Sequence, residues 1–384
     1  MSIAIEAPAR PTRYIELDSL RGLAALAVLL GHLEWVWTVV RPPSSEIAVS
    51  LVNLTTPFGS DAVILFFVLS GFVLSLPAVD RKPQSYFTFV VRRIFRIYVP
   101  YLAALAVAVA AAFFFYGHAS RCSWWISDWS GPVTWHQVLE HVMFIGFYDT
   151  TRFDPPTWSL VYEMRISLFF PLLCAVALRF KFRWAFALAL FLDCAAKVID
   201  KLHGAATAIS TSDTLRYAVL FILGIYLARE RASTAGWFGR LNRPARIAFA
   251  VAFVLLFAFA GPWYGSLVAR TTHPTFRFIG MWLTGLGAGG LMIICMNSSS
   301  CKRALHWPPI HFLGEVSYSL YLWHFVVLLF CVHLLYGKIP LWEILCLVFV
   351  LSIIVSWFSY RWIEVPSMNL GRKLSNPFQR PSGA

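Results

Sequence analysis

The chain has 384 residues, of which 59% are hydrophobic and only 13% are charged, and its mean hydropathy is +0.67. Soluble domains contain roughly 45–50% apolar and about 25% charged residues, so this composition excludes a soluble globular protein and predicts an all-α, multi-pass membrane protein. The 32 basic and 19 acidic residues do not indicate nucleic-acid binding, because no polar region interleaves basic and aromatic side chains. They indicate orientation in a lipid bilayer, since Lys and Arg are retained on the cytoplasmic side.

Residues 1–16 are polar and contain proline, and we expect them to form a cytoplasmic tail. The apolar run that follows exceeds about 20 residues, the length of a transmembrane helix. It ends in VVRPPSSE rather than in a small-residue cleavage site, so it is a retained span and not a signal peptide. The same criterion predicts a transmembrane domain over 17–366 with ten spans, near residues 17–40, 57–79, 100–116, 157–178, 184–200, 213–228, 246–264, 275–296, 313–336 and 341–361.

Basic residues outside the spans divide unequally between the two sides of the membrane. With a cytoplasmic N-terminus, the cytoplasmic segments hold 21 Lys and Arg residues and the external segments hold six. This bias predicts that both termini are cytoplasmic, with a C-terminal tail over 367–384.

The seven cysteines and ten histidines show none of the spacings that metal sites use, so we expect no metal site. Five cysteines lie inside apolar runs and only Cys122 falls in a predicted external loop, so no disulfide framework is expected. That loop, residues 117–156, is rich in Trp, as interfacial segments are. Its second half, HQVLEHVMFIGFY, is short and flanked by polar residues, which predicts a re-entrant or surface helix.

Ionisable residues inside spans are costly and are therefore candidates for function. In the first span, Arg21 and His32 are eleven residues apart, which places them on one helix face about 16 Å apart along the axis. The pair could carry chemistry, with His32 as a general base. Alternatively, Arg21 snorkels to the interface and His32 bonds a backbone carbonyl, and the spacing leaves both interpretations open.

The fourth span carries Glu163, about 9 Å below its external end, and His32 lies about 12 Å below the external end of its own span. The depths allow contact, and a carboxylate beside an imidazole fixes the tautomer that a general base requires. The alternative is that Glu163 forms a structural ion pair with Arg165 or with another span.

Several other charged positions have both a structural and a functional interpretation. Arg93 and Arg96 lie in RRIFRIYVP, where composition favours ordinary cytoplasmic charge but guanidinium groups also suit the phosphates of a nucleotide-bearing donor. Tyr321 and His324 are three residues apart on one face of the ninth span, where a packed histidine is as plausible as a catalytic one. Asp193 and Lys197 are predicted to form a structural pair within the fifth span, and Glu364 of RWIEVP a structural contact with Arg361.

Six sequence blocks occur in the order typical of the membrane-bound acyltransferase 3 family. Residues 16–32, ELDSLRGLAALAVLLGH, contain the Arg, ten residues and His of its opening signature. The later blocks are FFVLSGFVLS at 66–75, RRIFRIYVP at 92–100, WSLVYE at 158–163, VSYSLYLWHF at 316–325 and RWIEVP at 361–366. The chain resembles this family over residues 14–366.

The resemblance implies transfer of an acyl group, usually acetyl, from cytoplasmic acyl-CoA to a hydroxyl of an extracytoplasmic glycan or glycolipid, in the bacterial inner membrane. Acyl-CoA would then be a substrate, and no permanently bound cofactor is implied. Arg21, Arg93 and Arg96 would hold the donor. His32 would accept the proton of the acceptor hydroxyl or relay the acyl group, and Glu163 would orient His32.

The chain departs from the family pattern at a few positions. Ser19 replaces a usual glycine, EMRIS follows Glu163 where a Gln-aromatic pair is usual, and Val99 interrupts an Arg-x-Tyr-Pro ending. No SGNH-type hydrolase domain follows, so a stand-alone form is expected. The competing functional class is a transporter or flippase that uses Arg21, His32 and Glu163 as a relay. A second alternative is the other superfamily of membrane acyltransferases, in which His324 could be the catalytic histidine.

Overall fold

The computed structural model describes residues 14–41, 57–82, 84–117, 128–203, 209–269 and 277–375. Most of the predicted N-terminal tail, the last nine residues of the C-terminal tail and Cys122 lie outside these ranges. The described part is helical and contains no strand, which confirms the all-α prediction. Its helices are α1 (Ile15–Val40), α2 (Pro57–Val79), α3 (Tyr86–Phe115), α4 (Trp135–Met143), α5 (Trp158–Arg179), α6 (Phe182–His203), α7 (Thr211–Arg229), α8 (Arg231–Arg240), α9 (Arg243–Ala269), α10 (Arg277–Asn297), α11 (Ser299–Leu305), α12 (Pro308–Leu335) and α13 (Leu341–Ser375).

Nine helices of the described part are long and apolar enough to span a membrane, so the chain is a multi-pass membrane protein. The predicted fifth span, α6, is not among these nine helices, because it carries several charged residues and is therefore less apolar. Asp193 of α6 is buried and lies 3.8 Å from Lys197, which confirms the predicted pair. Asp200, near the end of α6, pairs with Arg216 of α7. Internal ion pairs therefore replace apolar side chains in this helix.

The helix ends form two groups at opposite ends of the bundle. At one of them, here called the arginine end, Glu16 of α1 lies 3.5 Å from Lys302 of α11, and Thr88 of α3 donates to the carbonyl of Ser375 in α13. The other, the loop end, contains residues 128–157 and the start of α7, where the amide of Ile209 donates to Tyr148. Because α1 begins and α13 ends at the arginine end, the chain crosses the bundle an even number of times. Ten crossings with α6 included, as predicted, satisfy this requirement.

Glycine lets α1 pack directly on α12, the most buried span. A Cβ added at Gly22 would lie 2.3 Å from the backbone nitrogen of Gly314, so neither position accommodates a side chain. Small residues let membrane helices approach closely, and van der Waals packing then stabilises the pair. The crossing fixes α12 beside α1, although the two segments are almost 300 residues apart in the sequence.

Candidate active site

A cavity of about 650 Å³ lies among α1, α2, α3, α5, α12 and α13, which is a typical volume for a small-molecule site. Four arginines and three carboxylates line it, and these are Arg21, Arg93, Arg96, Arg372, Asp18, Glu163 and Glu315. Such a concentration of charge within a membrane domain is tolerable only beside partners or water. The cavity is therefore the leading candidate for a functional site.

Glu163 is held by a compact set of hydrogen bonds on one side of the cavity. Its Oε1 atom accepts from Nη2 of Arg93 at 2.6 Å and from the hydroxyl of Ser70 at 2.9 Å. Nε of Arg93 donates to Ser167 at 3.2 Å, and Ser167 donates to the carbonyl of Glu163 at 2.7 Å. Charge-assisted bonds of this kind are the strongest that side chains form, so the pair fixes α3 against α5.

The expected pairing of Glu163 with His32 is therefore wrong. Glu163 bonds Arg93 and Ser70, and Arg165 faces away from it toward the carbonyls of Ile145 and Gly146. The depths of Glu163 and His32 along their own helices were compatible with contact. Depth, however, does not specify the direction in which a side chain leaves its helix axis.

Arg96 and Glu364 form a second ion pair, between Nη1 and Oε1 at 3.2 Å. Glu364 is fully buried, and its Oε2 atom accepts from Ser319 of α12 at 2.8 Å. The expected contact of Glu364 with Arg361 is replaced by this pair. Arg96 also lies over the ring of Tyr318, 5.9 Å from its centroid. The pair therefore joins α3, α12 and α13 at the arginine end.

Both members of this pair lie in π-helical turns, Ile94–Tyr98 in α3 and Tyr360–Glu364 in α13. A π turn disturbs the regular backbone bonding of a helix, and such turns occur frequently at functional sites. The freed carbonyls of α3 accept from side chains: Tyr318 donates to Ile97 at 2.7 Å, and Ser367 donates to Phe95. The irregular backbone is therefore satisfied by the helices that surround the cavity.

Arg21 lies at the arginine end of the cavity, as predicted from its position in the first span. Its Nη1 atom is 3.3 Å from Asp18, one turn earlier in α1. The hydroxyl of Ser19, the position where the family usually has glycine, donates to the carbonyl of Leu305 at 2.7 Å and anchors α1 to α11. Arg21 is thus held at the cavity wall rather than at the lipid interface.

His32 does not line the cavity. Its Nδ1 atom lies 3.0 Å from the carbonyl of Val28 and 3.0 Å from Nε2 of His324. Arg21 and Glu163 thus line the same cavity, whereas His32 lies outside it. The contact of His32 with His324 does not follow from the sequence, where the spacing of Tyr321 and His324 on one face of α12 fits a packed histidine and a catalytic one equally well.

Tyr321 separates the cavity from the two histidines. Its hydroxyl bonds Ser159 at 2.6 Å and donates to the carbonyl of Pro156 at 2.9 Å. Its ring lies 5.5 Å from Phe66 and 6.0 Å from His324, measured between ring centroids. The inner end of the cavity is thus adjacent to the histidine pair through the ring of Tyr321.

The described part of the predicted external loop packs onto the loop end of the bundle. Trp129 is fully buried, and its indole nitrogen donates to the carbonyl of Phe153 at 2.9 Å. The nine-residue α4 begins at a capping box formed by Thr134 and Gln137, and Trp135 is 79% exposed. The segment is too short to span, which confirms the prediction of a helix that does not cross the membrane. Burial raises the pKa of Asp154 beside this segment well above its usual range.

Other side chains of the cavity had no sequence signal of their own. Ser70, Tyr318 and Arg372 lie on three different helices and meet only in the folded structure. Asp18 could have been found, because a carboxylate three residues before Arg21 lies on the same face of α1.

Comparisons with known proteins agree with the geometry. A family described as "Acyltransferase domain" matches residues 14–361. The "Putative peptidoglycan O-acetyltransferase" of Bacillus subtilis is 24% identical over 384 residues, which cover 94% of this chain and 56% of the relative. A "Putative O-acetyltransferase" of Staphylococcus aureus is 26% identical over 408 residues, covering 96% of this chain and 59% of the relative. An acyltransferase of Streptomyces mycarofaciens is 34% identical over 172 residues, covering 42% of this chain and 40% of the relative.

The chain spans little more than half the length of the Bacillus and Staphylococcus relatives. No solved structure shows a significant match. The family match, in contrast, extends over nearly the whole chain and includes all cavity-lining residues up to Tyr360, whereas those from Val365 to Arg372 in α13 lie beyond it. The protein therefore belongs to the acyltransferase 3 family.

Proposed function

We propose that this protein transfers an acetyl group from acyl-CoA, bound in the cavity from the cytoplasm, to a hydroxyl of an extracytoplasmic glycan or glycolipid. The transmembrane domain over 17–366 performs the reaction, and both terminal tails are cytoplasmic. The arginine end of the bundle is then the cytoplasmic end, in agreement with the charge bias of the sequence. The name of the Bacillus subtilis relative suggests peptidoglycan as one acceptor of this class.

The single observation that carries the proposal is the cluster of arginines at the arginine end of the cavity. Three separate helices each contribute one arginine to this end of the cavity, namely Arg21, Arg96 and Arg372. Guanidinium groups bind phosphate oxygens through paired hydrogen bonds, and coenzyme A carries several phosphate groups. Arg93 also lines the cavity, but its bonds to Glu163 and Ser167 give it a structural task as well.

The inner end of the cavity would receive the acyl group of the donor. The acceptor hydroxyl oxygen attacks the thioester carbonyl carbon, a new C–O bond forms, and the C–S bond breaks. The hydroxyl proton passes to His32, which then gives it to the departing thiolate of coenzyme A. A positioned base of this kind contributes about 10²–10⁴-fold to the rate of such a reaction. In this scheme Tyr321 must move before the thioester and His32 can meet.

Purified protein in lipid nanodiscs, supplied with radiolabelled acetyl-CoA and a glycan acceptor, tests the proposal. Arg21→Gln and Arg372→Gln should each raise the KM for acetyl-CoA by about 10- to 100-fold, because charge-assisted bonds contribute about 1.5–3 kcal/mol. The KM for the acceptor should change little. Arg303→Gln is the matched control, since Arg303 lies at the same end on α11 but outside the cavity.

The outcome also separates an enzyme from a transporter. Thioester cleavage that depends on the acceptor and on His32 supports the transferase. The transport assay uses the same protein in liposomes with the lipid composition of the nanodiscs. Movement of a solute across this membrane with no cleavage of acetyl-CoA would contradict the transferase and favour the transporter.

A further inference from the structure

The contact between His32 and His324 lies outside the cavity and does not follow from the sequence spacing of either residue. Nε2 of His324 lies 3.0 Å from Nδ1 of His32, and the two ring centroids are 5.0 Å apart. The ring of Phe325 packs edge-on against His32, also at 5.0 Å. His324 is fully buried, whereas His32 is half-buried. The contact thus places a partly accessible imidazole against an inaccessible one.

The neighbouring carbonyls determine where the protons of both rings lie. Nδ1 of His324 is 3.0 Å from the carbonyl of Leu320, and a carbonyl oxygen can only accept, so this nitrogen carries a hydrogen. The hydrogen bonds of the two rings among the described residues go to backbone carbonyls and to each other, with no carboxylate partner. An unpaired charge at the fully buried His324 is costly, so this ring is neutral, and a second charge on His32 against it would be unpaired as well. A neutral imidazole has one N–H group, which leaves Nε2 of His324 as an acceptor.

The same reasoning fixes the proton of His32. Its Nδ1 atom faces two acceptors, the carbonyl of Val28 and Nε2 of His324, each at 3.0 Å. Nδ1 therefore carries the hydrogen and donates it, and Nε2 of His32 keeps its lone pair. Within the described residues this Nε2 atom makes no hydrogen bond that would occupy the lone pair.

We propose that His324 is a positioning residue that, together with the carbonyl of Val28, holds the tautomer and the orientation of His32, so that Nε2 of His32 is the atom that accepts the proton of the acceptor hydroxyl. The inference rests on the proposed acyl transfer, and it assigns to His324 a task with no contact to substrate. His324 accepts from Nδ1–H of His32, as an orienting carboxylate does in other acyl-transfer sites. Proton uptake at Nε2 gives a transient imidazolium, whose Nδ1–H bond to His324 disperses part of the charge.

Two substitutions of His324 separate positioning from packing. His324→Gln can still present an oxygen acceptor to Nδ1–H of His32, whereas His324→Leu fills similar space without any acceptor. We expect His324→Leu to lower kcat by about 10²–10⁴-fold, with the KM for acetyl-CoA changed by no more than about twofold. His324→Gln should recover at least about tenfold of that loss. Thermal unfolding of all variants controls for a structural role.

A second measurement reads the tautomer without any assay of transfer. In ¹⁵N-histidine-labelled protein, Nδ1 of His32 should give a protonated signal and Nε2 an unprotonated one, and His32→Ala identifies both signals. In His324→Leu the carbonyl of Val28 remains as an acceptor at Nδ1, so the proton should stay on Nδ1 while its signal shifts because the second acceptor is lost. An unprotonated Nδ1 in the wild-type protein would overturn the inference, and so would unchanged kcat in His324→Leu beside a strong loss in His32→Ala. If the wild-type protein lacked transferase activity but showed the expected tautomer, the proposed function would fail and the assignment of His324 to the proton position of His32 would stand.

Discussion

Arg96 and Glu364 each lie in a π-helical turn, and their side chains join those turns at 3.2 Å. The two turns are far apart in the sequence, on α3 and α13, and both interrupt helices that would otherwise continue regularly. Because each residue gained or lost in a turn rotates the following side chains by about 100°, a π turn redirects a helix face. The pair thus ties together two irregular segments that shape the arginine end of the cavity.

Replacing only one member of this ion pair should destabilise the protein more than replacing both members. Arg96→Gln leaves the carboxylate of Glu364, which is fully buried, without its counter-charge. Removal of one partner from a fully buried pair typically costs about 3–5 kcal/mol, and the cost here should be smaller because the side chain of Arg96 is 34% exposed. The double variant Arg96→Gln/Glu364→Gln should recover a large part of that loss, because no buried charge remains.

The measurement is the thermal unfolding midpoint in detergent for the wild-type protein, both single variants and the double variant. A double variant that unfolds no later than Arg96→Gln would show that the pair does not act as a unit. Arg303→Gln, outside the cavity on α11, serves as the control for loss of one positive charge at this end.

A methyl group at the crossing of α1 and α12 should be enough to disturb the site. In Gly22→Ala the new Cβ would lie 2.3 Å from the backbone of Gly314, a distance that forces the helices apart. We expect a lower unfolding temperature and loss of acyl transfer, since the same helix pair positions His32 against His324. Gly236→Ala is the matched control, because an added Cβ there meets no atom within 4 Å.

Wild-type stability and activity in Gly22→Ala would contradict the close approach. The opposite sign is expected for Gly236→Ala, since alanine is favoured over glycine inside a helix by about 1 kcal/mol.

The fold and part of the site were predictable because both follow from local patterns. Hydropathy located the nine helices of the described part that are long and apolar enough to span a membrane, and helical period placed Arg21 at the depth where it lines the cavity. The i,i+4 spacing of opposite charges correctly predicted the ion pair between Asp193 and Lys197. Each of these predictions needs only one helix and its own axis.

The partners of His32 and Glu163 were not predictable in the same way. Residue counts give the depth of each side chain, but they specify neither which helices are neighbours nor how each is rotated. His324 lies beside His32 only because Gly22 and Gly314 allow α12 to pack on α1. The π turn in α3, which has no sequence signature of its own, lies beside the bond of Arg93 to Glu163.

His32→Ala should abolish acyl transfer and leave membrane insertion unchanged. Loss of a general base typically lowers the rate by about 10²–10⁴-fold. His32 is half-buried and makes no ion pair, so its removal should have a small effect on folding. Transfer to the glycan at equal expression is the measurement, and near-normal activity would contradict the role.

The control for this variant is His136→Ala. His136 is on α4 at the loop end, where its side chain is 82% exposed and is paired with Glu140 alone among the described residues. It should retain full activity, which separates a specific role of His32 from a general effect of histidine loss.

Asp154 should make the stability of the protein fall as the pH rises. Neither carboxylate oxygen has a hydrogen-bond partner among the described residues, and the side chain is only 3% exposed. Burial raises its pKa well above the usual range, so the folded protein retains a proton that the unfolded chain releases near pH 4.

Where the unfolded state binds fewer protons than the folded state, the free energy of unfolding decreases with pH, by up to about 1.4 kcal/mol per pH unit for one group. That loss begins near pH 4 and continues up to the raised pKa. Asp154→Asn keeps the shape of the side chain and removes the titration, so the stability of the variant relative to the wild-type protein should increase as the pH rises above about 4. The unfolding temperatures of both proteins across this range give the measurement, with Asp149→Asn, at an exposed carboxylate of the same segment, as the control. A difference between Asp154→Asn and wild type that stays constant with pH would show that this carboxyl group titrates equally in the folded and unfolded chains.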